Sequence, residues 1–247
     1  MRSRVVIALL LTGVAVGGTA RGQSLTDDPT FALYRQAAQA IEAKDFERAT
    51  QLAKEAVAQY PDNVLAWNLL GQAAMSRAAW DEAVNAFTNV TRRYPGSFAA
   101  HRDLGQALGH VGRVDEAKAA FDAALALRPD NDDTRLRLAI MLYDHGRRDA
   151  ALPMLEALSR GSNPTPEVWL LLARTNYDRG DLAASEKAFT KAAALRDDGA
   201  TWFNLGAVRA RLNDFAGAQA AFKRAAQHPE VRQQANQELD KLREATK

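Results

Sequence analysis

Cysteine is absent from this chain of 247 residues. Its absence excludes a disulfide framework, a cysteine-ligated zinc site, a thiol nucleophile and a lipid-modified N-terminal cysteine. Histidine is scarce as well. His101, His110, His145 and His228 are scattered, with no H-x3-H pair and no metal-ligand spacing, and read as solvated or loop residues. The sequence also lacks G-x-S-x-G, G-x4-G-K-[ST] and G-x-G-x-x-G, so nucleophile-elbow, phosphate-loop and dinucleotide chemistry have no motif to stand on. The expectation is a non-catalytic protein without cofactor or metal. A large excess of one charge is lacking too, since 32 Lys and Arg face 30 Asp and Glu.

One long apolar run exists, and it lies at the N-terminus. Arg2 and Arg4 precede twelve residues, Val5 to Val16, that lead into Gly17, Gly18, Thr19 and Ala20. A basic start, a short apolar centre and small residues at the exit describe a secretory signal peptide over residues 1–22. The run is shorter than the ~20 apolar residues that span a bilayer, so no membrane insertion is expected after cleavage. Cleavage after Ala20 or after Gly22 fits the small-residue rule. Either way the expected location is periplasmic or secreted. Removal of residues 1–22 takes away Arg2, Arg4 and Arg21 and no acid, which leaves 29 Lys and Arg against 30 Asp and Glu, a net charge of −1. A near-neutral mature chain gives nucleic acid and anionic membrane little to hold.

After a polar leader, residues 23–29, the chain repeats itself. Units beginning at Thr30, Val64, Phe98, Asp132, Pro166 and Gly199 follow one another at steps of 34, 34, 34, 34 and 33 residues, giving 30–63, 64–97, 98–131, 132–165, 166–198 and 199–229. The eighth positions are Ala37, Gly71, Gly105, Ala139, Ala173 and Gly206. The twentieth are Ala49, Ala83, Ala117, Ala151, Ser185 and Ala218. The twenty-fourth are Ala53, Phe87, Phe121, Leu155, Phe189 and Phe222. Small residues at two positions let antiparallel helices approach closely, and a large one fills the space beside them. Pro61, Pro95 and Pro129 close the first three units. Asn163 and Asp197 stand at that place in the next two, where Pro164, Pro166 and Asp198-Gly199 supply the turn.

An Asp lies near the start of every second helix: Asp45, Asp81, Asp115, Asp149, Asp181 and Asp214. Capping of free N–H groups explains acids a full repeat apart better than a metal site does. Gly112, Gly146 and Gly180 share the fifteenth position and mark turns that need positive φ. Pro153, four residues after Asp149, falls within or just beyond the first turn of its helix, where a slight kink is the expected cost. The segment 230–247 keeps Val231, Ala235, Leu239 and Leu242 at helical spacing and reads as a capping helix over the last apolar face.

Trp67, Leu70, Gly71, Ala83, Phe87 and Pro95 reproduce W-x2-L-G-x2-Y, A-x3-F and P, so the chain resembles the tetratricopeptide repeat (TPR) family. It departs from the pattern at Ala74, where the family has Tyr, and at Ala53, where a large residue is usual. The resemblance spans residues 30–229 and implies an all-α, right-handed superhelical solenoid of six hairpins that binds protein partners in a concave groove. With positions 4, 7, 8 and 11 of each first helix turned to its partner helix, the ~100° step per residue points positions 2, 5, 6, 9, 12 and 13 away from it. In a superhelix of this family that face lines the groove.

The groove residues so selected are Leu65, Asn68, Leu69 and Gln72 in the second unit, and Arg102 and Gln106 in the third. The fourth gives Leu136, Arg137, Ile140 and Tyr143, the fifth Leu170, Leu171, Arg174 and Tyr177, and the sixth Phe203 and Asn204. Tyr-Asp recurs at Tyr143-Asp144 and Tyr177-Asp178. Aromatic residues and arginines are typical binding anchors. The Lys and Asn positions of the carboxylate clamp of TPR co-chaperones are not occupied, nor is the asparagine ladder of sugar-transferase arms. The resemblance therefore implies a scaffold for a peptide or a partner helix, with assembly or maintenance of a bacterial envelope complex as the expected setting. Two other uses fit the same sequence. One is a homo-oligomer formed through Phe31 and Tyr34, with Leu33 beside them, and the other a regulatory arm of an enzyme on a second polypeptide. Protein recovered from cells is expected to begin at Arg21 or Gln23, and N-terminal sequencing that finds Met1 instead would remove the signal-peptide assignment.

Overall fold

The computed structural model describes residues 29–245; the signal peptide assigned to residues 1–22, and the leader assigned to 23–29 up to residue 28, lie outside them. Among the described residues there are thirteen helices and no strand. They are α1 (Pro29–Glu42), α2 (Phe46–Gln59), α3 (Val64–Ser76), α4 (Trp80–Arg93), α5 (Phe98–His110), α6 (Val114–Leu127), α7 (Asp132–Asp144), α8 (Arg148–Ser159), α9 (Pro166–Asp178), α10 (Leu182–Leu195), α11 (Gly199–Arg211), α12 (Phe215–Ala225) and α13 (Arg232–Ala245). No helix among the described residues is long and apolar enough to cross a membrane. The chain divides between Asp130 and Asn131 into two compact units. The first holds the hairpins α1–α2, α3–α4 and α5–α6, and the second holds α7–α8, α9–α10, α11–α12 and the single helix α13. Each is an all-α solenoid in which consecutive helices pack on one another.

Within a hairpin the two helices come unusually close, and glycine is what permits it. A Cβ added to Gly71 would stand 2.6 Å from Cζ of Phe87; one on Gly105 would stand 2.8 Å from Cδ2 of Phe121, and one on Gly206 would stand 2.7 Å from Cδ1 of Phe222. The three rings are therefore seated against bare backbone, and all three are fully buried. Burial of each ring contributes ~1.5–3 kcal/mol. Alanine serves at the same position in the other three hairpins, where Ala37, Ala139 and Ala173 are fully buried. In α9–α10 the buried hydroxyl of Ser185 donates to the carbonyl of Ala173 at 2.9 Å, so the two small-residue positions face each other and the one polar substitution is satisfied.

All six hairpin turns have the same construction. The amide of the fifteenth residue bonds the carbonyl three residues back, and the amide of the sixteenth bonds the carbonyl five back, as in Asp45 to Ala40 at 2.8 Å, Arg113 to Leu108 at 3.0 Å and Asp214 to Arg209 at 2.9 Å. This Schellman arrangement needs a left-handed residue between the helices. Gly112, Gly146 and Gly180 meet the need with φ of 77°, 73° and 83°, and the other three turns place Lys44, Ala78 and Asn213 there at 60°, 56° and 61°.

The sixteenth residue also serves as N-cap of the second helix, and here the expectation of six capping acids is half right. Asp45, Asp181 and Asp214 occupy the cap and accept from the amides of Arg48, Ala184 and Gly217. Asp81, Asp115 and Asp149 lie two residues further on, inside the first turn, behind caps Ala79, Arg113 and Arg147 that accept no side-chain bond. Those three acids lie in the first turn, where a carboxylate favours the positive end of the helix dipole.

Pro153 is the sixth residue of α8, just beyond the first turn, and α8 is two residues shorter than α4, α6 and α10. Between hairpins, the ring nitrogen at the fourth position of a first helix fastens the preceding turn. Trp67 Nε1 donates to the Pro61 carbonyl at 2.6 Å, His101 Nε2 lies 2.9 Å from the Pro95 carbonyl, and Trp202 Nε1 donates to Asp197 at 2.6 Å. His101 thus lies in α5 and fastens the turn before it. The last hairpin is covered by α13, where Leu239 packs on Ala218 and Phe222 and Ala235 is fully buried. Gly199 opens α11 beneath the same turn, because a Cβ there would meet His228 and Val231 at 2.6 Å.

Two stability outcomes follow from these positions. Ala78→Gly is expected to raise the urea midpoint by the equivalent of ~1 kcal/mol, since an L-residue in the left-handed region costs ~1–2 kcal/mol. Gly105→Ala is expected to lower the melting temperature, because overpacking against Phe121 costs ~1–3 kcal/mol and outweighs the ~1 kcal/mol of helix propensity gained. An unchanged or raised melting temperature for Gly105→Ala would show that the Phe121 ring can move aside.

Candidate protein-binding surface

The first-helix faces can be followed residue by residue within each unit. In the first unit Leu65, Asn68, Gln72 and Gln106 are half-buried. Arg102 is closed onto its neighbour, with Nε and Nη2 both 2.8 Å from Oδ1 of Asp103. Leu69 does not line an open face. It is 2% exposed and belongs to the core with Ala37, Leu52, Ala53 and Leu70. Position 6 turns away from its own hairpin partner, but the first helix of the preceding hairpin covers it, since α1 touches α3 directly. Leu33, Tyr34 and Trp67 pack on the same cluster. Tyr34 and Leu33 are consequently half-buried, while the side chain of Phe31 lies outside the described residues.

In the second unit the face is more open. Leu136, Leu170 and Phe203 are half-buried, Ile140 is 40% exposed and Asn204 is exposed. Phe203 tilts against Phe222 with centroids 5.5 Å apart. Arg137 pairs with Asp133 at 2.8 Å along its own helix. Leu171, like Leu69, is a packing residue at 8% exposure.

Four of the selected residues converge. Tyr143 from α7, Arg174 and Tyr177 from α9 and Asn204 from α11 line one cavity of about 260 Å³, together with Asp178, Phe189, Ala207 and Val208. Three successive first helices place them, Tyr143, Arg174 and Tyr177 from the last two turns of α7 and α9 and Asn204 from the middle of α11. Tyr143 is largely buried, and its hydroxyl donates to Oδ2 of Asp178 at 2.8 Å. Burial raises the pKa of this phenol above its ordinary value, and the bond to Asp178 adds to the effect. Nε of Arg148 donates to the same carboxylate oxygen at 2.8 Å, which raises the pKa of its guanidinium. Cations stack on the tyrosines. The guanidinium carbons of Arg174 and Arg148 lie 5.1 Å and 5.4 Å from the Tyr143 centroid, and that of Arg211 lies 4.9 Å from the Tyr177 centroid.

Sequence reasoning did not select Arg148, which sits at the head of a second helix and reaches thirty residues along the chain to Asp178. Nor did it select Phe189, a second-helix ring assigned wholly to packing. The signal for Arg148 was a cation thirty residues before an Asp at the thirteenth position. The arrangement offers guanidinium and amide donors beside ring faces. Among the described residues no group of three or more His, Asp or Glu side chains could hold a metal ion.

The family model described as tetratricopeptide repeat matches residues 40–108 and 110–175. No curated protein matches the chain. Solved structures do. MamA residues 41 to the end, from Desulfovibrio magneticus RS-1, is 23% identical over 66% of this chain and 92% of its own, with a TM-score of 0.61. PilW, described as a widely conserved type IV pilus biogenesis factor, is 21% identical over 80% of this chain and 92% of its own, with a TM-score of 0.63. The C-terminal part of a TPR repeat-containing protein from Cytophaga hutchinsonii is 15% identical over 78% of each chain, with a TM-score of 0.69. At these identities the likeness is one of fold. With the repeat model covering more than half of its length and the hairpin construction repeated six times, the chain belongs to the tetratricopeptide repeat family.

Proposed function

We propose that the chain is a binding scaffold that takes an extended segment or a helix of a protein partner on the first-helix face of its second unit. TPR folds generally serve as non-catalytic protein-interaction scaffolds. The observation that carries the finer reading is the cavity shared by α7, α9 and α11, in which two tyrosines, an arginine and an asparagine meet an apolar wall. Tyr and Arg in a pocket that excludes water are the residue types that dominate binding energy at protein interfaces. Leu136, Ile140, Leu170 and Phe203 lie on the same helices and would be covered by a partner laid across them.

The setting proposed is outside the cytoplasm, in the periplasm or beyond, where the signal-like N-terminus would deliver the mature chain. A role in building or maintaining an envelope complex fits that location, and the fold likeness to a type IV pilus biogenesis factor is compatible with it.

Site-specific cross-linking in cells tests the surface. A photo-reactive residue in place of Asn204 is expected to give a discrete protein adduct, whereas the same group in place of the exposed Lys187 on α10 gives none. The double change Arg174→Glu with Tyr177→Ala is expected to lower the adduct by at least about tenfold, the loss of ~1.4 kcal/mol of binding. An undiminished adduct in a double variant that keeps its helical circular dichroism would remove this surface as the binding site.

A further inference from the structure

The charge in and beside the second-unit cavity is unbalanced in a way that specifies its ligand: Arg174 lines it, while Arg148 and Arg211 lie outside the lining, over the rings of Tyr143 and Tyr177 that do line it. Asp178 is the carboxylate of the lining, and it is already engaged, because Oδ2 accepts from both the Tyr143 hydroxyl and Arg148 at 2.8 Å. It neutralises Arg148. Arg174 and Arg211 have no such partner: among the described residues no carboxylate lies within salt-bridge distance of either, and each lies over a tyrosine ring instead. A guanidinium supported on a ring has lost much of its rotamer freedom beforehand. A guanidinium can meet a carboxylate through two parallel N–H bonds.

The rest of the lining is neutral. Phe189, Ala207 and Val208 form an apolar wall, and Asn204 offers an amide at the exposed side. At about 260 Å³ the cavity falls below the ~300–1,000 Å³ of small-molecule sites and suits inserted side chains. Resting on the protein-binding reading above, we infer that the cavity receives an Asp or Glu side chain of the partner segment. Arg174 and Arg211 hold its carboxylate, and a neighbouring apolar side chain of the same segment lies against Phe189, Ala207 and Val208. The partner's contact segment is thus acidic and apolar, and the anchoring group is a side chain rather than a chain terminus.

Selection of C-terminally amidated random decapeptides on the purified full-length protein tests this. The expected winners place Asp or Glu beside Leu, Ile, Val or Phe. For a labelled winner followed by fluorescence anisotropy, replacing its acid by the amide is expected to weaken binding at least about tenfold. Arg174→Gln and Arg211→Gln should each cause a comparable loss that is not additive with the peptide change, while Arg174→Lys retains part of the affinity. Winners that are neutral or basic would overturn the inference and leave the scaffold reading standing, as would affinity indifferent to either arginine in a folded variant. Binding that requires a free C-terminal carboxylate would overturn it as well. Selection of no peptide also overturns it, and the cross-link at position 204 then decides separately whether the scaffold reading falls.

Discussion

In three of the six hairpins the two helices approach until the phenylalanine on one touches the backbone of the other, and in the other three an alanine stands where those have glycine. At Gly71, Gly105 and Gly206 there is no room for a methyl group under the phenylalanine, and that contact sets how far apart the two helices stand. The spacing decides what else can pack. Small residues recur at the twentieth position because the second helix must also present little bulk to the first, and where a serine stands there its hydroxyl finds the carbonyl of Ala173 within 2.9 Å. Within each unit hairpins of fixed thickness stack with consecutive helices in contact, and in the second α7, α9 and α11 bring their side chains to one cavity.

Much of this could be read in the sequence because periodicity multiplies weak signals. One Gly eight residues into a helix means little, but six small residues at that phase, each followed sixteen positions later by an occupant of the same packing slot, describe a hairpin. What could not be read falls into two physical classes. The left-handed residues Lys44 and Ala78 carry no compositional mark, because the Schellman bonds on either side stabilise a conformation their side chains would not select. The burial of Leu69 and Leu171 depends on the neighbouring hairpin, and helical phase within one hairpin cannot report on a helix that arrives from outside it.

The binding face shows the same division. Helical phase selected Tyr143, Arg174, Tyr177 and Asn204, and the structure brings them together. It also selected Arg102 and Arg137, which are closed onto Asp103 and Asp133. Residue type was the same in all three arginines. All three have an acid one residue or one turn away; Asp103 and Asp133 take up the charge of two of them, while Asp178 is engaged by the Tyr143 hydroxyl and Arg148 and Arg174 rests on the Tyr143 ring.

The shared turn residue has a consequence for how such a chain can change in length. Every hairpin turn has three residues, with the sixteenth ending one helix and beginning the next, whereas the links between hairpins have four, four, four, six and three. A residue inserted into a hairpin turn would break two backbone bonds and rotate the second helix off its partner. One inserted between hairpins leaves both helices of each pair as they were. Length variation is therefore confined to the joints between hairpins, where the six residues 160–165 already accommodate two more than the usual four.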